Sequence, residues 1–297
     1  MKLITLTHPE RILYPAAHIS KQDIADYYEA VQDWMLPYLT KRLLTLVRCP
    51  QGDLQKCFYQ KHLQEPNSAL FQITIPEKNT SGEYFYLKNV SGLIALVQMG
   101  VLEIHCWGSH INKVEQPDVI IFDLDPAPDV SWNKVMVAAK FIKERLEQIK
   151  LTSFVKTTGG KGLHVVVPIK SKHHWEDVKQ FSHDFVDSIV AEQPNAYTAT
   201  ITKAKRTGKI FLDYLRNQRG ATAVAPYSTR ARVGATVATP VHWDELNGKL
   251  KPEKFTVATV PKRLATLKSD PWEEFFEISQ NLNLNHLHQL SFPRRRE

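Results

Sequence analysis

No stretch of this chain approaches the roughly 18 consecutive apolar residues that a membrane-spanning helix requires. The longest candidate, Leu93 to Ile104, is too short and is interrupted by Gln98, Gly100 and Glu103. No secretory leader is expected either, because Pro9, Glu10 and Arg11 fall before any apolar core can form. A cytoplasmic location with no membrane partner is the resulting expectation. Cysteine is scarce: Cys49, Cys57 and Cys106 are an odd set without CxxC spacing. This speaks against a disulfide framework or a zinc knuckle and leads to the expectation of three reduced thiols. Internal repeats, low-complexity segments and long linkers are also absent.

What is there fits a globular protein with a substantial core, at 43% hydrophobic and 23% charged residues. A net charge of +7 favours a polyanionic partner, although many basic proteins never touch nucleic acid. Ser20 to Asp23 resembles a capping box, and Ile24, Tyr27, Tyr28, Val31 and Met35 follow at helical spacing until Pro37, the expected end. Short strand-like segments come next, at Leu43–Arg48, Cys57–Gln60, Leu70–Ile75 and Tyr84–Leu87. A buried helix is expected over Leu93–Met99 and a strand over Leu102–Cys106.

From Asp118 onward, strands alternate with helices. Strands are expected at Asp118–Leu124, Ser153–Thr157, Leu163–Ile169 and Ile210–Leu215, with helices after Ser131 and from Trp175 to about Val190. The expectation is an α+β or α/β fold in one catalytic domain over residues 1–297. Within it, a β-rich module covers about 1–110, a catalytic α/β module about 111–270, and a C-terminal helix with a basic tail 271–297. Arg294, Arg295 and Arg296 make that tail basic.

The most informative stretch is Val119-Ile120-Ile121-Phe122-Asp123-Leu124-Asp125-Pro126. Residues two apart on a strand share a face, so Asp123 and Asp125 project side by side while Phe122 and Leu124 point the other way. Adjacent carboxylates repel, and hard divalent cations such as Mg²⁺ or Mn²⁺ relieve that repulsion. Alone, the triplet also reads as a strand-end turn with solvated acids. Asp213, inside the apolar run Ile210–Leu215, shifts the balance, because a buried acid needs a cation. That cation is either a metal shared with the pair or a neighbouring arginine, Arg216 or Arg219.

Between two expected strands lies Lys156-Thr157-Thr158-Gly159-Gly160-Lys161-Gly162-Leu163-His164. Glycines let backbone N–H groups approach an anion, and Lys161, His164 and the Thr158 hydroxyl add donors suited to a triphosphate. The spacing of a Walker A loop is missing, and a plain hairpin turn is the alternative. Lys203, Lys205, Arg206 and Lys209 precede Asp213, while Arg216, Arg219, Arg230 and Arg232 follow it. In the first half, Arg11, Lys21, Arg48 and Lys61 accompany Phe58 and Tyr59, a mixture suited to base stacking beside a tracked backbone. Strand alternation should turn one of Phe58 and Tyr59 into the core.

Taken in order, THPERILYP, LTLVRCPQG with CFYQKH, LEIHCWG, IIFDLDP, TTGGKGLHVVVP, GKIFLDYLRNQRGATAVAPYSTRARVGATVATPVHWDEL and DPW span Thr7 to Trp272. The set resembles the polymerase domain of bacterial DNA ligase D, within the archaeo-eukaryotic primase superfamily. The resemblance implies an RRM-like catalytic unit beside a β-rich unit. It also implies that Asp123, Asp125 and Asp213 are catalytic and bind two Mn²⁺ or Mg²⁺ ions. Thr158, Gly160, Lys161 and His164 would hold the incoming NTP or dNTP, with His105 at its sugar and Arg230 at its triphosphate. Arg11 and Lys21 would capture a DNA 5′-phosphate, and Tyr59 or Phe58 would stack on the template. Arg48, Lys61, Arg206 and Arg216 are further candidates for phosphate contacts. Arg11 stands where the family usually has lysine, and Thr158 where serine is common.

The expected function is template-dependent nucleotide addition to a primer 3′-hydroxyl, preferring ribonucleotides, with gap filling in end joining beside Ku and a DNA ligase. A de novo primase and a non-catalytic scaffold that grips 5′-phosphates are the alternatives. A DxD glycosyltransferase would leave Asp213 and the cationic N-terminal motif unexplained. In many bacteria the family's polymerase region is joined to ligase and phosphoesterase domains, and the present sequence corresponds to the polymerase region.

Overall fold

The computed structural model describes residues 4–53 and 56–284. The first elements are β1 (Ile12–Tyr14), β2 (Ile19–Ser20), α1 (Lys21–Leu39), β3 (Arg42–Arg48), β4 (Phe58–Gln60), β5 (Phe71–Pro76), β6 (Ser81–Tyr86), α2 (Val90–Gln98) and β7 (Val101–His110). Then come β8 (Val119–Pro126), α3 (Trp132–Gln148), β9 (Phe154–Thr157), β10 (Leu163–Pro168), α4 (Trp175–Glu192), β11 (Tyr197–Thr198) and β12 (Ile210–Asp213). Last are β13 (Ala223–Val224), β14 (Pro240–Val241) and α5 (Val260–Thr266). They divide into two compact units. The first comprises Met1–Ile111, Thr222–Thr239 and Lys251–Ser269; the second comprises Asn112–Ala221, Pro240–Leu250 and Asp270–Glu297.

The first unit is built on an antiparallel sheet of order β13-β7-β3-β4. Its central strand β3 carries Leu43, Leu44 and Leu46 at zero exposure, because both faces are covered. Helix α1 opens with the capping box expected at Ser20, whose hydroxyl accepts from the Asp23 N–H while Asp23 accepts from the Ser20 N–H. It does not stop at Pro37, which sits inside it. A proline in the last turn removes a single hydrogen bond, and the Thr40 N–H still reaches the Leu36 carbonyl.

The thiol expectation fails at two positions: Cys49 and Cys57 form a disulfide with Cα atoms 4.4 Å apart. The reason is register. Arg48 and Phe58 are paired across β3 and β4, so the next residue outward on each strand meets its counterpart. Spacing rules without strand pairing miss such a bridge.

In the second unit, β8-α3-β9-β10-α4-β12 run in a βαββαβ order. The strands lie side by side as β12-β8-β10-β9, with β11 and β14 added at the edges. This is the split βαβ arrangement of RRM-like domains. Only the edge pair β11–β12 is parallel, so α+β describes the sheet better than α/β. On one face, Ile120, Phe122 and Leu124 are fully buried, with Phe122 against Phe185 of α4 at 4.9 Å between ring centroids. The opposite face carries Ile121, Asp123 and Asp125.

Strand β12 was expected to run to Leu215 but ends at Asp213, where the chain turns into a 3₁₀ segment, Leu215–Asn217. The Asn217 carboxamide then accepts from the Ile121 N–H and donates to the Ile121 carbonyl, standing in for the strand that has left. The expected basic tail lies outside the described residues, and residues 271–284 contain one 3₁₀ turn, Glu273–Phe276. Among the described residues no helix is long and apolar enough to cross a membrane.

Replacing both Cys49 and Cys57 by serine should lower the unfolding free energy by about 2–3 kcal/mol, the loop-closure value for a short ring. Urea titration checks this, and excess dithiothreitol should bring the wild type to the same midpoint.

Candidate active site

Strand register assembles the site in the second unit. Asp123 of β8 pairs with His164 of β10 on one side and with Asp213 of β12 on the other, and His164 pairs in turn with Lys156 of β9. Directly opposed residues share a face, so Lys156, His164, Asp123 and Asp213 form one row across four strands. Asp125 lies one step along, opposite Phe211. The side chains of Asp123 and Asp213 are 14% and 13% exposed, whereas that of Asp125 is 60% exposed.

Two arginines meet these acids. Arg216 approaches Asp123 through Nη2 at 3.1 Å and Asp213 through Nε at 3.3 Å, bridging the two carboxylates. Arg206 reaches Asp125 at 3.2 Å while its guanidinium lies 3.7 Å from the Phe211 ring centroid. His164 Nε2 sits 3.4 Å from the second oxygen of Asp123. Of the arginines considered for Asp213, Arg216 is its partner, and Arg219 instead pairs with Glu115.

Burial opposes ionisation of Asp123, yet His164, Arg216 and Lys156 hold its carboxyl well below the usual carboxylate range. Burial pushes Asp125 and Asp213 up, and the neighbouring Asp123 charge adds to the shift in both. His164 is pushed down to about 4 by its own burial and by Lys156, so its imidazole is neutral at pH 7.

Three carboxylates form an all-oxygen donor set that suits a hard divalent cation. The guanidinium shared by Asp123 and Asp213 demonstrates that one positive group can satisfy both. In charge and donor type the residues fit such a metal. Among the described residues, however, no three His, Cys, Asp or Glu side chains are grouped to hold one as they stand. The acids are instead paired with Arg216 and Arg206.

The glycine-rich loop closes the β9–β10 hairpin beside them. Thr158 donates its hydroxyl to the Gly162 carbonyl and accepts from the Gly160 N–H, which fixes the loop from within. Gly162 is required sterically, since a Cβ there would lie 2.4 Å from the Leu124 carbonyl oxygen. This close approach brings the loop against the DxD strand, with Lys161 exposed and His164 buried. Locally the loop is a hairpin turn, and it borders the strand that carries the acids.

The first unit carries its own polar cluster, centred on Glu103, which sequence reasoning passed over. Glu103 and His105 are two apart on β7, and His105 Nε2 lies 2.8 Å from Glu103 Oε2. The other carboxylate oxygen accepts from the Ala231 N–H at 3.0 Å and meets Arg230 Nε at 3.1 Å. Burial would raise the Glu103 carboxyl, but the His105 hydrogen bond and the Arg230 charge bring it down to about 2. Three buried tyrosines anchor the segment leading to Arg230. Tyr14 donates to the Arg230 carbonyl, Tyr27 to the Tyr227 carbonyl, and Tyr28 bonds with the Thr229 hydroxyl.

Phe58 and Tyr59 are both exposed, at 42% and 71%, against the expectation that one would turn inward. Strand β4 is a three-residue edge in which only Gln60 is buried. Arg48 lies 5.5 Å from the Phe58 ring centroid and donates to the Met99 carbonyl and to Gln60, while Lys61 is exposed. Arg11 and Lys21 are brought together by a hydrogen bond from the Lys21 N–H to the Arg11 carbonyl. Arg11 is exposed, but Lys21 is 6% exposed, with its ammonium on the Thr7 carbonyl and Gln98. Burial, followed by the Arg11 charge, lowers its pKa.

Comparison with known proteins gives a consistent set of similarities. Residues 20–272 match the model of the LigD primase-polymerase domain. The chain is 33% identical over 284 residues to the multifunctional non-homologous end joining protein LigD of Pseudomonas aeruginosa, covering 94% of this chain and 34% of that protein. It is 29% identical over 289 residues to the bifunctional non-homologous end joining protein LigD of Bacillus subtilis, covering 97% of this chain and 46% of the relative. The chain thus spans between a third and a half of the length of these relatives. Among solved structures, the polymerase domain of Mycobacterium tuberculosis ligase D in complex with DNA superposes with a TM-score of 0.85 at 29% identity. That match covers 91% of this chain and 97% of the other.

Glu103 also supplies a pH test. Its carboxyl is depressed in the folded state, so its stabilisation is full above the unfolded value near 4.3 and disappears as pH falls towards 2. The stability difference between wild type and Glu103→Gln should therefore shrink by roughly 2–3 kcal/mol between pH 5 and pH 2.5 in urea titrations.

Proposed function

Because the chain belongs to the LigD primase-polymerase domain family, we propose that it is a template-dependent nucleotidyltransferase. In this reading it extends a primer 3′-hydroxyl and fills short gaps while broken DNA ends are joined. The observation that carries this reading is the row in which Asp123 and Asp213 share one cation beside Asp125. Such an arrangement binds positive charge next to a loop able to face phosphates.

Two Mn²⁺ or Mg²⁺ ions held by Asp123, Asp125 and Asp213 would supply activation of the 3′-hydroxyl and stabilisation of the leaving pyrophosphate. The protein's own residues orient and neutralise. Gly160 presents backbone and Lys161 a mobile charge to the triphosphate, with the loop shape set by Thr158. His164 lies 3.4 Å from Asp123 and orients its carboxylate. His105 and Arg230, both steadied by Glu103, contact the sugar and the phosphates of the nucleotide, with ribose preferred. Phe58 and Tyr59 offer two exposed rings for template stacking. Arg11 leads the capture of a downstream 5′-phosphate, supported by Lys21 and the nearby positive field. A Ku-type end-binding protein and a DNA ligase are its working partners.

Asp123→Asn or Asp213→Asn should reduce primer extension by about 10³-fold or more, the scale of losing metal-borne charge stabilisation. Circular dichroism should remain unchanged; full activity in either variant would remove these acids from the mechanism. Arg11→Ala should cut the preference for a 5′-phosphorylated over an unphosphorylated gap by roughly tenfold, one charge-assisted contact. Competitive binding by fluorescence anisotropy reads that ratio. Lys21 is a poorer target because its ammonium also ties Thr7 to Gln98.

A further inference from the structure

Arg206 and Arg216 both meet the acids of the site, but they are held differently. Arg206 donates Nε to the Thr200 carbonyl at 3.0 Å, lies on the Phe211 ring and leaves 11% of its side chain exposed. Its bond to Asp125 is one anchor among several. Arg216 rides on the 3₁₀ segment that follows β12, and 39% of its side chain is exposed. Its guanidinium bridges Asp123 and Asp213, the two most buried acids of the site.

Carboxylates buried side by side need a positive charge in the resting protein, because neither can be left uncompensated. A divalent cation bound to the same oxygens would compete with that guanidinium and displace it, because Nη2 and Nε of Arg216 lie on the Oδ2 atoms of Asp123 and Asp213. Arg216 is then released beside whatever anion the cation brings with it. In a nucleotidyltransferase that anion is the triphosphate, and a planar five-donor guanidinium is well matched to phosphate oxygens.

We propose that Arg216 is an exchangeable counter-ion. In the resting protein it neutralises Asp123 and Asp213; when a divalent cation takes those oxygens, it turns to the phosphates of the incoming nucleotide. This inference rests on the metal-dependent reading above and adds a coupling to it. Displacing Arg216 weakens the binding of a cation alone. The contact it then makes with phosphate strengthens the binding of cation and nucleotide together. Metal and nucleotide therefore bind cooperatively, and each raises the affinity for the other by the same factor. The site resists filling with metal when no nucleotide is present.

Two affinities measured on Arg216→Gln test the exchange, because they move in opposite directions. Mn²⁺ alone, followed through the electron paramagnetic resonance signal of the free ion, should bind the variant about tenfold more tightly than the wild type. A fluorescent non-hydrolysable ribonucleoside triphosphate in saturating Mn²⁺, followed by anisotropy, should bind the variant about tenfold more weakly. General damage to the site would weaken both. Arg216→Lys, which keeps the charge but not the bridging fork, should fall between wild type and Arg216→Gln in both assays. If wild-type Mn²⁺ binding is abolished by Asp123→Asn yet unaltered or weakened by Arg216→Gln, the exchange is wrong while the metal reading stands. If neither the wild type nor Arg216→Gln binds Mn²⁺ in a way that depends on Asp123, with or without the nucleotide, both are overturned.

Discussion

The site hangs on the register of one strand. Strand β8 pairs with β10 and β12 so that Asp123 faces His164 on one side and Asp213 on the other. Shifting either pairing by one residue would send Asp123 to the face occupied by Phe122 and Leu124, where a charge has no partner. The hydrophobic contacts of that buried face, with Phe122 against Phe185, therefore determine where the acids project. Packing on one side of the sheet specifies the chemistry on the other. Asn217 completes the hydrogen bonding of β8 just where β12 turns away, so the register survives the early end of its neighbour.

Each unit places charge in a sheet, and the two solve the problem in opposite ways. In the first, one buried carboxylate serves several donors: Glu103 gathers His105, Arg230 and a backbone N–H. The negative group is the hub, and its ionisation is favoured. In the second, three acids crowd one face of the sheet, and although each meets an arginine, Asp125 and Asp213 are both pushed towards protonation by burial and by Asp123. A hub of the first kind is built to hold geometry. Crowding of the second kind leaves acids whose charge depends on the cations beside them.

Much of this was legible in the sequence because it depends on local periodicity. Alternation along β8 predicted the shared face of Asp123 and Asp125, and the capping box at Ser20 located the start of α1. Recognition of the family rested on ordered motifs from Thr7 to Trp272, and the matched region 20–272 agrees with it. What escaped depends on pairings between segments far apart in sequence. The Cys49–Cys57 bridge follows from the register of β3 with β4, which spacing does not encode. Lys156 was seen as part of a loop motif, but its place in the row of acids requires knowing that β9 lies beside β10. The outward turn of both Phe58 and Tyr59 reflects the edge position of a very short strand, where alternation loses its force. Tyr14, Tyr27 and Tyr28 look like ordinary apolar positions until residues some 200 places later supply their hydrogen-bond partners.

The chain also crosses between the two units repeatedly: Thr222–Thr239 and Lys251–Ser269 return to the first, with Pro240–Leu250 in the second between them. Strand β13, which extends the first sheet beside β7, is drawn from that returning segment. During synthesis, the first 111 residues emerge more than a hundred residues before the strand that borders β7 and the Arg230 segment that engages Glu103. At ribosomal rates of about 5–20 residues per second, that wait lasts roughly 6–20 seconds. Until then Glu103 lacks its arginine and one edge of the sheet lies open, a condition that favours pairing with other chains. Assembly is thus governed by long-range closure, and neither unit corresponds to a contiguous piece of sequence that could be expressed alone.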